Sequence, residues 1–207
     1  MRLAQWRRVL TIWLSAWLCL GASMACAQVF APVGPYTHAD SQLVLPDILG
    51  GMPRVSAYNY EARRPGLGVS IKYAVQAPVI FADIYVFNGG RPLIPEGTSD
   101  PLVEQMFTSA IGEIRGMGEL GRYGNVSLID ADSITLGDKP GARRVLRARF
   151  SYTLNGGDVY SHVYALAVHN HFVKLRFTYR QDQSAEAVPV LAAVLEDLGR
   201  MVGENLQ

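Results

Sequence analysis

The sequence predicts a single α+β domain, in which a twisted antiparallel sheet of about five or six strands carries two long helices. Three observations lead there. Residues 142–180 alternate apolar and polar side chains with a period of two and are broken by two tight turns. Two further stretches, after Asp100 and after Ser184, repeat apolar residues at steps of three and four, the spacing of a helix with one buried stripe. A chain of 207 residues with 49% hydrophobic side chains suits one domain with a substantial core.

The three-strand unit is the clearest. In its first strand Leu146, Ala148, Phe150, Tyr152 and Leu154 point one way, and Arg143, Arg147, Arg149, Ser151 and Thr153 the other. In its third, Val173, Leu175, Phe177 and Tyr179 alternate with Lys174, Arg176, Thr178 and Arg180. The middle strand, Val159 to Val168, is apolar on both sides, as an interior strand is. Asn155-Gly156-Gly157 and His169-Asn170-His171 supply the turns.

Earlier in the chain, residues 28–44 show no period and read as an extended arm, with the folded part beginning at Leu45. Val69 to Val75 alternates as a strand, and Val79 to Phe87 is apolar on both faces apart from Asp83. A pleat position near a sheet edge, or a hydrogen bond to a neighbour, accounts for that one carboxylate. The first helix starts at an Asp100 cap with Pro101 in its first position. It buries Leu102, Met106, Phe107, Ala110, Ile111, Ile114 and Met117, and is expected to end at Gly116 and Gly118. Val126 to Ile129 reads as a short strand. The second helix carries a stripe of Val188, Leu191, Leu195, Leu198, Met201 and Val202, with Pro189 tolerated in its first turns.

The N-terminus is different in kind. Arg2, Arg7 and Arg8 precede an apolar run from Val9 to Leu20 and a small-residue site ending at Ala27, the pattern of a secretory signal peptide cleaved after Ala27. The run is too short for a span of ~20 residues, so the mature chain is not expected to be an integral membrane protein. Ser23 stands where a lipoprotein signal carries Leu, Val or Ile, which argues against lipid attachment at Cys26. The expected compartment is the periplasm. Cleavage removes three of 19 basic residues and no acidic ones, leaving 16 against 18 and a net charge of −2. That balance argues against a nucleic-acid binder. Both cysteines, Cys19 and Cys26, leave with the signal, and with them any thiol nucleophile, disulfide or cysteine-held metal.

Few residues suggest chemistry. Asp130-Ala131-Asp132-Ser133 resembles the start of a calcium loop but lacks its glycine and closing glutamate. His169 and His171, with His162 on the same strand, lack a defined third ligand, so no metal is assigned. There is no nucleophile elbow and no phosphate-cradling glycine loop, and no catalytic residue or cofactor is assigned. A three-residue loop at His169–His171 and a two-residue loop at Gly156-Gly157 set Tyr164 opposite both Arg176 and Arg149. Arg147, Arg149, Tyr164, Lys174 and Arg176 then share one face, a basic and aromatic surface able to take a carboxylate or phosphate through forked hydrogen bonds. A two-residue loop in the second hairpin flips the third strand and disperses the patch.

Leu45-Pro46 with Gly50-Gly51, Tyr60-Glu61, Pro65-Gly66-Leu67-Gly68 and Asp83-Ile84-Tyr85-Val86-Phe87 resemble short motifs of a family of exported proteobacterial proteins with no assigned reaction. The resemblance covers roughly residues 45–180 and carries over no catalytic residue. The element order, with Leu175-Arg176-Phe177-Thr178-Tyr179 leading into a closing helix, also resembles the PsbP-like α/β/α sandwich, which implies an accessory or binding module. The expected function is a non-enzymatic exported accessory or binding protein, partnered by an envelope protein. A binder of a small anionic ligand is the alternative, and a hydrolase comes third.

Overall fold

The computed structural model describes residues 27–137 and 142–203. The signal peptide up to Cys26, with both cysteines, and the turn expected at 138–141 lie outside the described residues. The architecture is α+β. Strands β1 (Gln28–Phe30), β4 (Ile48–Leu49), β5 (Met52–Asn59), β6 (Val69–Val75), β7 (Ile80–Phe87), β8 (Gly124–Leu136), β9 (Arg143–Leu154), β10 (Gly157–Val168) and β11 (His171–Arg180) form one nine-stranded sheet. Its order is β1-β5-β6-β7-β11-β10-β9-β8, with β4 paired to β5, and every pairing is antiparallel. Strands β2 (Tyr36–Thr37) and β3 (Val44–Leu45) make a separate small ladder. Helices α1 (Pro101–Glu119) and α2 (Ser184–Gly203) lie on opposite faces.

Nine strands replace the five or six that the sequence predicts, and the extra ones share a physical reason. β1 and β4 are too short to show a period. β5 sends only Met52 and Ala57 fully into the core, so its pattern reads as polar. β8, at 13 residues, is an edge strand whose side chains are mostly exposed, and only Val126 to Ile129 stood out. The segment read as an arm is also built into the body. β1 pairs along β5, and Leu43 is fully buried.

Helix α2 sets Ala187, Leu191, Val194, Leu198 and Val202 against Ile71, Tyr73, Ile84, Leu175 and Phe177. Helix α1 sets Phe107, Ala110 and Ile114 over Ala148, Phe150, Val163 and Ala165, and Val103 over Ala167 and Phe172. Asp100 caps α1 as expected, its carboxylate accepting the N–H of Leu102 at 2.8 Å. The helix runs through Gly116 and Gly118 to Glu119, past the expected end. A glycine inside a helix costs only ~1 kcal/mol relative to alanine, and a Cβ at position 118 would meet Val126 at 2.8 Å. In α2 the stripe includes Ala187 and Val194, while Val188 is 54% exposed. Among the described residues no helix is long and apolar enough to cross a membrane.

Three of the short motifs serve the fold. The Glu61 carboxylate accepts the N–H groups of Gly66 (2.9 Å) and Gly68 (2.5 Å) and so holds the loop between β5 and β6. Gly68 has φ +67°, and a Cβ there would sit 1.9 Å from the carbonyl oxygen of Val86. The Gly50 N–H donates to Asp197 of α2 at 2.6 Å, and Tyr73 donates to the carbonyl of Pro46 at 2.7 Å.

Candidate functional site

Hairpin register decides which side chains meet. The loop between β9 and β10 is Asn155-Gly156, so Arg149 opposes His162 and Arg147 opposes Tyr164. This differs from the expected pairing by two residues, which keeps every side chain on its face. The loop between β10 and β11 is His169-Asn170, both with positive φ, so Tyr164 opposes Leu175 and Val163 opposes Arg176. This differs by one residue, which turns β11 over. The five residues predicted to share a face therefore do not. Arg147, Arg149 and Tyr164 lie on the α2 side of the sheet, and Lys174 and Arg176 on the α1 side.

On the α2 side the arginines are satisfied by the edge strand. Arg147 holds Asp132 through Nε at 2.9 Å and Nη2 at 2.5 Å, and Arg149 holds Asp130 through Nε at 2.8 Å and through Nη2. Behind them His162 stacks on Tyr164 and Tyr179, with ring centroids 6.3 and 5.7 Å apart. Burial, reinforced by Arg149 and Arg147, pushes the His162 pKa down to about 4, and Tyr164 is raised by burial. The histidines of the second hairpin are occupied too. His171 Nδ1 donates to the carbonyl of His169 at 2.9 Å, and His169 Nδ1 to that of Ser41 at 2.8 Å. No group of three potential ligands is placed to hold a metal among the described residues.

On the α1 side a different cluster forms across β6, β7 and β11. Lys72 opposes Asp83, Asp83 opposes Arg176, and Tyr85 opposes Lys174. The inward face of β7 (Ile80, Ala82, Ile84, Val86) is fully buried under α2, whereas Phe81, Asp83, Tyr85 and Phe87 are only half-buried. Helix α1 packs over β9 and β10 and the start of β11, and leaves this stretch of sheet as a cradle.

The cations of the cradle are held in place. Arg176 donates from Nε to Ser161 Oγ (3.2 Å) and from Nη2 to Tyr152 (2.7 Å) and Tyr123 (3.2 Å), over whose rings its guanidinium lies. Lys174 Nζ sits 4.7 Å from the centre of the Tyr85 ring and 3.1 Å from Glu113 of α1. Lys72 Nζ lies 4.8 Å above Phe81. Asp83 takes no hydrogen bond and no ion pair among the described residues. Burial raises its pKa, against the pull of Lys72, Arg176 and Lys174. Burial likewise raises the Tyr85 phenol. Beside Lys174 a cleft of about 270 Å³ opens between α1 and the sheet, with Phe87, Phe172 and Met106 as apolar wall and Arg91 and Glu113 at its rim.

Sequence reasoning found Lys174 and Arg176 of this cluster and missed Lys72, Tyr85, Tyr123 and Tyr152. It set Asp83 near a sheet edge or in a hydrogen bond to a neighbour, whereas β7 is a central strand and the carboxylate takes no hydrogen bond among the described residues. A charged residue in a run apolar on both faces was the available signal.

No protein-family model matches the chain, and no curated protein matches it in sequence. Among solved structures, the solution structure of cyanobacterial PsbP (CyanoP) from Synechocystis sp. PCC 6803 is similar with a TM-score of 0.43 and 10% identity. The match covers 90% of this chain and 94% of that one. It is a distant likeness of fold, and no residue role is taken from it.

Proposed function

We propose that this chain is an exported, periplasmic, non-enzymatic binding protein that holds a small anionic ligand in the cradle of Lys72, Lys174 and Arg176. The observation that carries the reading is the placement of three cations around Asp83 on a half-buried stretch of sheet, which α1 meets through Glu113 at Lys174. Arg176 is preorganised by two phenols and a serine, so ordering it on binding costs little. The neighbouring cleft gives such a ligand an apolar wall. The N-terminal pattern of basic head, apolar run and small-residue site supports export.

The test is native mass spectrometry of the protein released gently from the cell envelope. A small anionic adduct is expected on the wild type and absent from Lys72→Ala/Lys174→Ala. Its affinity on rebinding falls as salt rises. A bare wild-type protein that also ignores added small anions contradicts the reading.

A further inference from the structure

Four carboxylates are half-buried among the described residues: Asp83, Asp100, Asp130 and Asp197. Three are matched to donors. Asp100 caps α1, Asp130 takes Arg149, and Asp197 takes the Gly50 N–H and Arg200. Asp83 alone has none, although cations stand on both neighbouring strands. Arg176 has turned its donors to Ser161, Tyr123 and Tyr152, and Lys174 to Glu113. Lys72 rests over Phe81 and makes no ion pair with Asp83. The centre of the cradle therefore offers an unmet acceptor, and its flank an ammonium with no anion.

Resting on the anion-binding reading, we propose that the ligand is a zwitterion of the amino-acid class, its protonated amine on Asp83 and its carboxylate toward Lys72. Lys72 and Asp83 are directly opposed across two strands, which lie about 4.8 Å apart. With Lys72 Nζ drawn aside over Phe81, the two opposite charges stand on one face of neighbouring strands without pairing, an arrangement that the ammonium and carboxylate of an α-amino acid can bridge. A simple anion would satisfy the Lys72 ammonium but, by excluding water from the half-buried Asp83 carboxylate, leave that acceptor bare, at a cost that a donor on the ligand removes. Burial raises the Asp83 pKa, and a cation set on the carboxylate would draw it back down.

Calorimetric titration with matched probes tests this: succinate against aspartate, and glutarate against glutamate, on the wild type and on Asp83→Asn. The wild type is expected to hold the amino-bearing member of a pair about tenfold or more tightly, the worth of one charge-assisted hydrogen bond. Asp83→Asn, close in shape and checked for folding by circular dichroism, is expected to bring each pair within about twofold. If the wild type binds both members of each pair alike, or Asp83→Asn keeps the preference, the zwitterion proposal falls and anion binding stands. If the wild type binds no probe at about 10 mM, the anion reading falls and takes the proposal with it.

Discussion

The two faces of the central strands carry the same kinds of residue and treat them differently. On the α2 side Arg147 and Arg149 are matched one to one with Asp132 and Asp130 from the neighbouring edge strand. On the α1 side Lys72, Lys174 and Arg176 surround Asp83 without pairing to it. The first cluster is complete in itself and has no call on a ligand. The second is held by phenols, by aromatic faces and, at Lys174, by the Glu113 carboxylate, and it leaves Lys72 with no anion. Residue type alone does not mark a binding face. What marks it is charge held in place and left unanswered.

Mutations can break this contrast, and the largest effect belongs to Arg176. Arg176→Leu strands the hydroxyls of Ser161, Tyr123 and Tyr152, and a loss of about 3 kcal/mol in urea unfolding is expected. Arg149→Leu, on the half-exposed pair with Asp130, is expected to cost under about 1 kcal/mol. Equal losses would show that the two clusters are alike.

His162 gives the next effect. Its folded pKa is lowered to about 4 from the ordinary 6.5, so the unfolded chain binds the proton first. Stability is therefore complete above about pH 6.5 and declines as pH falls toward 4, by about 3 kcal/mol. In His162→Gln that part of the slope should vanish, and an unchanged slope would assign it to other groups.

Asp83 has the opposite sign. Its carboxyl is raised in the folded state, so folding grows less favourable as pH rises through its range. Asp83→Asn should raise stability at neutral pH by about 1 kcal/mol and leave it unchanged in strong acid. A loss at neutral pH would mean that the carboxylate is paired after all. The smallest effect is on the α2 side. A double-mutant cycle on Arg149 and Asp130 should give a coupling of about 0.5 kcal/mol with ligand affinity untouched.

Much of the fold was legible because burial imposes a period. β6, β7, β9, β10 and β11 each bury residues in a pattern that the alternation or the continuous apolar run of their sequences announces. β8 and β5 lack that imprint, since their outward side chains meet water. The site was half-legible for a sharper reason. His169 and Asn170 both adopt positive φ, and no apolar pattern reports whether a turn holds two residues or three. That one residue moved Lys174 and Arg176 across the sheet to meet Asp83. The Tyr123 and Tyr152 partners of Arg176 come from another part of the chain, beyond the reach of local pattern.

Backbone amide NMR during a titration with glutamate tests the central claim most directly. The account predicts that shift changes concentrate at Lys72, Asp83, Tyr85 and Lys174, fade with added salt, and spare Arg147, Arg149 and His162. Changes centred on the Arg147–Arg149 side, or a spectrum that stays still, would contradict it.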